Sequence, residues 1–101
     1  MDNVQPPQAI DSENIVIGTL LNQGNAYSKI ADILTADCFY NHKNRRIYEA
    51  IVSVCERGDM PDMIIVKNEL AKTGEPLAYE LVELAANSSA QIYKHALYVK
   101  E

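Results

Sequence analysis

The feature that most constrains this chain is a helical period in its apolar residues, interrupted at short intervals by residues that end helices. Apolar side chains recur at spacings of three, four and seven, as in Ile10, Ile17 and Leu21. Gly58 and Gly74 each follow such a stripe, where glycine readily adopts the left-handed conformation that ends a helix. The pattern predicts an all-α fold of about six short helices joined by short loops.

The apolar period begins at Ala9. The preceding residues contain Pro6-Pro7 and show no such period, so we expect residues 1–8 to be a flexible lead-in. A chain of 101 residues can bury one core without a metal or disulfide. We therefore expect a single helical domain over residues 9–101.

Capping residues mark the expected helix starts. Asn25 can cap a short second helix, Asp62 a fourth, and Ser88 or Ser89 the last, because their side chains can accept from exposed backbone N–H groups. Pro76 is expected to open the fifth helix.

The first helix carries two further signals. Gly18 lies inside it at a cost of up to ~1 kcal/mol relative to alanine, which predicts a close helix crossing there. Asp11 and Glu13 are predicted to lie in its first turn, where negative charge suits the helix dipole.

Charge and composition exclude several classes of protein. The chain has 14 acidic and 9 basic residues and a net charge of −5, which opposes tight binding of nucleic acid by this segment alone. Two isolated cysteines are too few for a disulfide framework and suggest a reducing compartment. Without an apolar run of ~18 residues or a signal peptide, we expect a cytoplasmic protein that does not contact a membrane.

No motif for catalysis or for binding a cofactor is present, because the chain lacks GxxxxGK[ST], GxGxxG, HExxH and paired zinc spacing. We therefore predict no catalytic, cofactor-binding or metal-binding residue in this chain. Cys38, His42, Cys55 and His95 could be imagined as four metal ligands. The cysteines fall on apolar faces, however, and the histidines lie among polar residues, which favours small hydrophobic and solvated roles.

The only basic cluster, His42–Arg46, lies at the start of a helix predicted from about Asn41 to Arg57. Positive charge is unfavourable there, which suggests a protein partner or an acidic neighbour such as Glu49. Binding of nucleic acid is the alternative, although no aromatic residues are interleaved for stacking.

The tyrosines are the other candidates for partner contacts. Tyr48 belongs to the buried stripe of the third helix. Tyr79, Tyr93 and Tyr98 could fill the rim of the core or form a surface patch for another protein. From the residues alone, the chain is a helical interaction module.

Four segments form an ordered pattern along the chain: Pro7–Glu13 with Ile15–Leu21, Asp37–Tyr40 with Arg46–Ile51, Arg57-Gly58 with Pro61-Asp62 and Leu70, and Leu81–Ala85 with Ala96–Glu101. Together they resemble the N-terminal domain of DnaB-type replicative helicases. The chain departs from the family pattern in three places: Glu75-Pro76 replaces the usual Gly-Gly, the turn before the last helix is shortened, and the usual histidine is Asn44.

The resemblance implies a compact orthogonal bundle that forms a non-catalytic collar of a replicative helicase. Its expected partners are the C-terminal domain of primase and other copies of itself, as a hexamer in the full-length parent and a dimer or monomer as this fragment. ATP, Mg and DNA would be bound by a motor domain absent from this chain, beyond a helical hairpin expected after Glu101. Aligned to the family, Asp11, Glu13 and Tyr79 are candidate partner-binding residues.

Overall fold

A computed structural model describes residues 7–100, with side chains from residue 9. It contains five α-helices and two short 3-10 helices in this range, which confirms the all-α fold. The α-helices are α1 (Pro7–Asn22), α2 (His42–Glu56), α3 (Met63–Ala71), α4 (Ala78–Ala85) and α5 (Ile92–Lys100), and the 3-10 helices are Gly24–Lys29 and Ala36–Cys38.

Helix α1 is the centre of the fold and packs against α5, α4, α2 and the first 3-10 helix. Val16, Ile17 and Leu20 have no solvent exposure. Because these side chains point in several directions around the helix axis, neighbours can cover α1 on several sides. Burial of large aliphatic side chains at ~1.5–3 kcal/mol each makes α1, like α2, a major contributor to the core.

The cap of α3 forms as the sequence predicts, and Asn41, expected only as the approximate start of a helix, caps α2. The Asn41 side chain accepts from the Asn44 backbone N–H at 3.0 Å, and the Asp62 side chain accepts from the Ile65 N–H at 2.9 Å. Gly58 and Gly74, at φ 92° and 95°, follow α2 and α3 in the predicted left-handed conformation.

The prediction of a close crossing at Gly18 is also confirmed. A Cβ at this position would overlap the main-chain carbonyl oxygens of Leu84 and Asn87 at the end of α4. The Asn22 side chain donates to the Ala85 carbonyl at 2.8 Å and fixes the same contact one turn later. Glycine is therefore required where α1 passes under the end of α4.

Three predicted helix starts are wrong. Helix α1 begins at Pro7, so its backbone is helical two residues before the expected boundary, and residues 1–6 lie outside the described range. The second helix is a 3-10 helix that starts before Asn25, and no side chain caps it. Helix α4 begins at Ala78, after Leu77 adopts a left-handed conformation at φ 51°.

The start of α5 agrees with one of the two predicted capping residues. The Ser89 hydroxyl, rather than Ser88, accepts from the Gln91 N–H at 3.0 Å, while the Ser89 N–H donates to Thr19 of α1. One serine thus orders the turn before α5 and ties it to α1. Within residues 7–100, no helix combines the length and the apolar character needed to cross a bilayer.

Candidate interaction surfaces

Glu13 lies at the junction between α1 and the start of α2 and has no solvent exposure. Its carboxyl oxygens accept from the backbone N–H groups of Tyr40 at 2.6 Å and Asn41 at 3.2 Å, and from the Asn44 side-chain amide at 3.2 Å. Asn44 is also buried, and its amide donates to the Asn14 side chain at 3.0 Å. This network joins α1 to the loop that begins α2.

The proposed contact between Glu13 and a partner therefore needs correction. A carboxyl group that is wholly buried and already accepts three hydrogen bonds has no free face for another protein. The helix-dipole interpretation is also wrong, because α1 starts at Pro7 and its first turn holds no acidic residue. Glu13 instead satisfies backbone donors before and at the N-cap of α2, where negative charge is favourable.

Asp11, the neighbouring candidate, lies on the surface. It shares a face of α1 with Gly18, seven residues on, and that face turns toward α4. Asn14, one turn from Asp11, lines a surface cavity of about 210 Å³ together with Lys43 and Glu80. The fold thus keeps Asp11 accessible on a side of α1 adjacent to α4.

Tyr79, the third candidate, lies in the first turn of α4 with 76% of its surface exposed. Val82, one turn later, is 59% exposed and belongs to the same helical face. Leu81 and Leu84 are buried on the inner side of this helix. Helix α4 therefore uses one side for the core and presents an aromatic and an aliphatic side chain to solvent on another.

The remaining tyrosines divide between the core and the surface. Tyr48 is fully buried, stacks obliquely on Phe39 with ring centroids 4.7 Å apart, and donates to the Leu34 carbonyl at 3.2 Å. Burial, with smaller contributions from nearby ionisable groups, raises the pKa of Tyr48 far above its usual value near 10. The core prediction for Tyr48 is confirmed, and Tyr93 and Tyr98 are exposed on α5 rather than packed in the core.

Three cations of the basic cluster make contacts with other parts of the same domain. Lys43 forms an ion pair with Glu80 of α4 at 3.1 Å, and Arg46 forms one with Glu75 at 2.5 Å. Arg45 donates twice to the Phe39 carbonyl. The acidic neighbours are Glu80 and Glu75 rather than the predicted Glu49, and they offset the unfavourable position of these cations near the start of α2.

The imagined metal ligands are not assembled. No three His, Cys, Asp or Glu side chains within the described part of the chain are grouped closely enough to hold an ion. His95 instead hydrogen-bonds through Nδ1 with the Ser12 hydroxyl at 3.0 Å, joining α5 to α1. Cys38 and Cys55 are half-buried free thiols packed against the core, and burial raises the pKa of Cys55.

Over residues 7–100 the chain is thus a small helical domain that presents apolar and aromatic side chains on its outer surface. Residues 5–101 match the family model of the DnaB-like helicase N-terminal domain, and the chain belongs to this family.

Similar proteins agree with this assignment. The chain is 39% identical over 70 residues to the replicative DNA helicase DnaB of Rhodothermus marinus, and 35% identical over 68 residues to the replicative DNA helicase DnaC of Bacillus subtilis. These alignments cover 69% and 67% of this chain but 7% and 15% of the relatives.

A solved structure has the same fold. The crystal structure of the N-terminal domain of DnaB helicase from Mycobacterium tuberculosis superposes with a TM-score of 0.84 at 27% identity, over 95% of this chain and 73% of that one.

Proposed function

We propose that this chain is the non-catalytic collar domain of a replicative DNA helicase, which assembles subunits and docks the C-terminal domain of primase. The parent protein would unwind duplex DNA, with ATP and Mg bound by a separate motor domain. Membership of the DnaB-like N-terminal domain family supports this proposal. The relatives it matches over most of its length carry the name replicative DNA helicase.

The observation that carries the docking proposal is the outer face of α4. Tyr79 and Val82 are large, exposed and close together on one helical face, where they gain no burial from the fold. Aromatic side chains of this kind commonly dominate the free energy of protein–protein interfaces. Asp11, exposed on the α1 side next to α4, would contribute a polar contact at the rim.

Self-association is the second half of the proposal. The large exposed apolar side chains on α5, Tyr93, Leu97 and Tyr98, are distinct from the α4 face. Surfaces on two helices would allow one copy to contact a neighbouring subunit and primase at the same time. We expect the fragment to be a monomer or dimer and the full-length parent a hexamer.

The structure weakens the rival function, binding of nucleic acid through His42–Arg46. Lys43 and Arg46 are already paired with carboxylates, and those carboxylates compete with phosphates for the cations. We expect single-stranded DNA to bind weakly even at low salt, and an Arg45→Ala/Arg46→Ala double variant to bind like the wild type. A steep salt dependence that this double variant abolishes would favour the rival.

Calorimetric titration of the chain with purified primase C-terminal domain tests the docking proposal. We expect saturable binding, with an affinity that rises when the helical hairpin expected after residue 101 is included. Sedimentation velocity on both chains tests assembly. The proposal fails if neither chain binds primase and both remain monomers.

A further inference from the structure

A groove runs between the segment after α1 and the outer side of α2. It encloses about 420 Å³, within the size range of sites that take a small ligand or a few side chains of a peptide. Tyr27, Ala31 and Leu34 line one wall and Val52 of α2 lines the other. Leu34 is buried, while Tyr27, Ala31 and Val52 are half-buried, so apolar surface remains open to solvent inside the groove.

Acidic and apolar side chains are regularly spaced along the α2 wall of the groove. Glu49, Val52, Ser53 and Glu56 follow at spacings of three, four and seven, which places them on one stripe of the helix. The two carboxylates thus lie about 10.5 Å apart along the axis, on either side of an apolar and a small residue. Each end of the groove therefore carries a negative charge, and its middle is apolar.

These charges are not neutralised within the domain. Glu49 and Glu56 are exposed and take part in no ion pair among residues 7–100. Burial, followed by the charges of Cys55, Glu56 and Asp32, raises the pKa of Tyr27. Glu56 and Asp32 are therefore close enough to place negative potential at the tyrosine end of the groove.

We infer that this groove docks a basic amphipathic helical segment of another protein. Such a segment would insert one or two aliphatic side chains over Val52 and Ala31. It would place two cations about two helical turns apart, opposite Glu49 and Glu56. This interaction goes beyond the proposed docking of primase, which uses the α4 face.

Charge complementarity favours a basic partner over a second copy of this chain. The chain carries a net charge of −5, so its own surface offers on average too little positive charge to complement this groove. Four of its own cations, Lys43, Arg46, Arg57 and Lys72, are already held in ion pairs. A foreign segment with free lysines or arginines matches the groove better.

The test uses the 101-residue chain and a synthetic helical peptide built on the repeat Lys-Ala-Ala-Leu-Leu-Ala-Ala-Lys. We expect amide shifts in a ¹⁵N-labelled chain to change along residues 27–36 and the outer stripe of α2, and not along α4. Because exposed ion pairs contribute little free energy each, loss of two of them in Glu49→Gln/Glu56→Gln should weaken binding by about twofold to thirtyfold.

Two further variants test whether binding needs the open groove and whether it depends on the carboxylates of the groove in particular. Ser53→Trp fills the exposed middle of the groove without changing charge and should abolish binding. Glu83→Gln removes an exposed carboxylate from α4 and should leave the affinity unchanged. Circular dichroism of each variant establishes that the fold is retained.

Three results would overturn the inference. One is absence of binding at low salt, and another is equal binding of a peptide with glutamate in place of lysine. The third is a concentration-dependent shift of the groove residues without peptide, which would make the occupant a second copy. None of these outcomes bears on the binding of primase, so the two proposals can fail separately.

Discussion

The α1–α2 junction and the outer face of α4 both contain side chains that sequence patterns mark for partner contacts, and the fold uses them in opposite ways. At the junction, Glu13 and Asn44 are buried, and Glu13 accepts from two main-chain N–H groups and from the Asn44 amide. On α4, Tyr79 is 76% exposed. The candidate partner residues taken from the family resemblance therefore include one that stabilises the domain, Glu13, and one that is exposed for binding, Tyr79.

The largest effect is expected from Glu13→Ala, which tests whether the junction is structural. The change leaves the N–H groups of Tyr40 and Asn41 and the amide of Asn44 without their acceptor. We expect a loss of about 2–4 kcal/mol in the free energy of unfolding, because buried unsatisfied donors cost about 1–3 kcal/mol each and water relieves part of this. Urea denaturation measures the loss.

Asp11→Ala is the matched control, since it removes an exposed carboxylate two residues away and should change stability by less than ~0.5 kcal/mol. Equal losses for the two variants would show that burial does not distinguish them.

Gly18→Ala tests the crossing of α1 and α4. Helix propensity alone predicts a gain of up to ~1 kcal/mol, whereas overlap with the carbonyls of Leu84 and Asn87 predicts a loss of about 1–3 kcal/mol. We expect the loss, together with a lower Tm in calorimetry. Ser53→Ala on the exposed side of α2 is the control, and it should change stability by only a few tenths of a kcal/mol. A stabilised Gly18→Ala variant would contradict the packing.

Tyr48→Phe has a smaller effect with a distinctive pH dependence. It removes the hydrogen bond to the Leu34 carbonyl, for a loss of about 1 kcal/mol at neutral pH. Because the folded-state pKa of Tyr48 is raised, the native state holds the proton after the unfolded chain begins to lose it near pH 10. Wild-type stability should therefore fall as pH rises above about 10.

That fall should be smaller in Tyr48→Phe and unchanged in Tyr93→Phe, whose hydroxyl lies on an exposed residue. Chemical denaturation at a series of alkaline pH values distinguishes them. Identical alkaline profiles for the three proteins would exclude a raised Tyr48 pKa.

Local signals predicted much of the fold. The stops at Gly58 and Gly74, the cap at Asp62 and the crossing at Gly18 each follow from one residue and its neighbours. Two starts predicted from equally local signals, at Asn25 and Pro76, were wrong. Leu77 takes a left-handed conformation that β-carbon sterics disfavour, and its side chain is buried, so tertiary packing determines it.

The candidate site was less predictable, because exposure depends on long-range contacts. Glu13 and Asn44 lie 31 positions apart, and Lys43 and Glu80 lie 37 apart. Because the partners are so far apart in the sequence, no local sequence pattern predicts either contact. The regular stripe of Glu49, Val52, Ser53 and Glu56 was readable from its spacing, but the facing wall of Tyr27 and Ala31 was not.

The smallest expected effect on stability belongs to Tyr79→Ala, and it carries the central claim that the α4 face is a docking surface. Its unfolding free energy should change by less than ~0.5 kcal/mol, since the side chain is largely exposed. Tyr93→Ala, an exposed tyrosine on α5, is the matched control. Calorimetric titration of both variants with the primase C-terminal domain should show an affinity at least about tenfold weaker for Tyr79→Ala alone, as removal of an interface aromatic residue predicts. Wild-type affinity in Tyr79→Ala, or equal losses in both variants, would contradict the account.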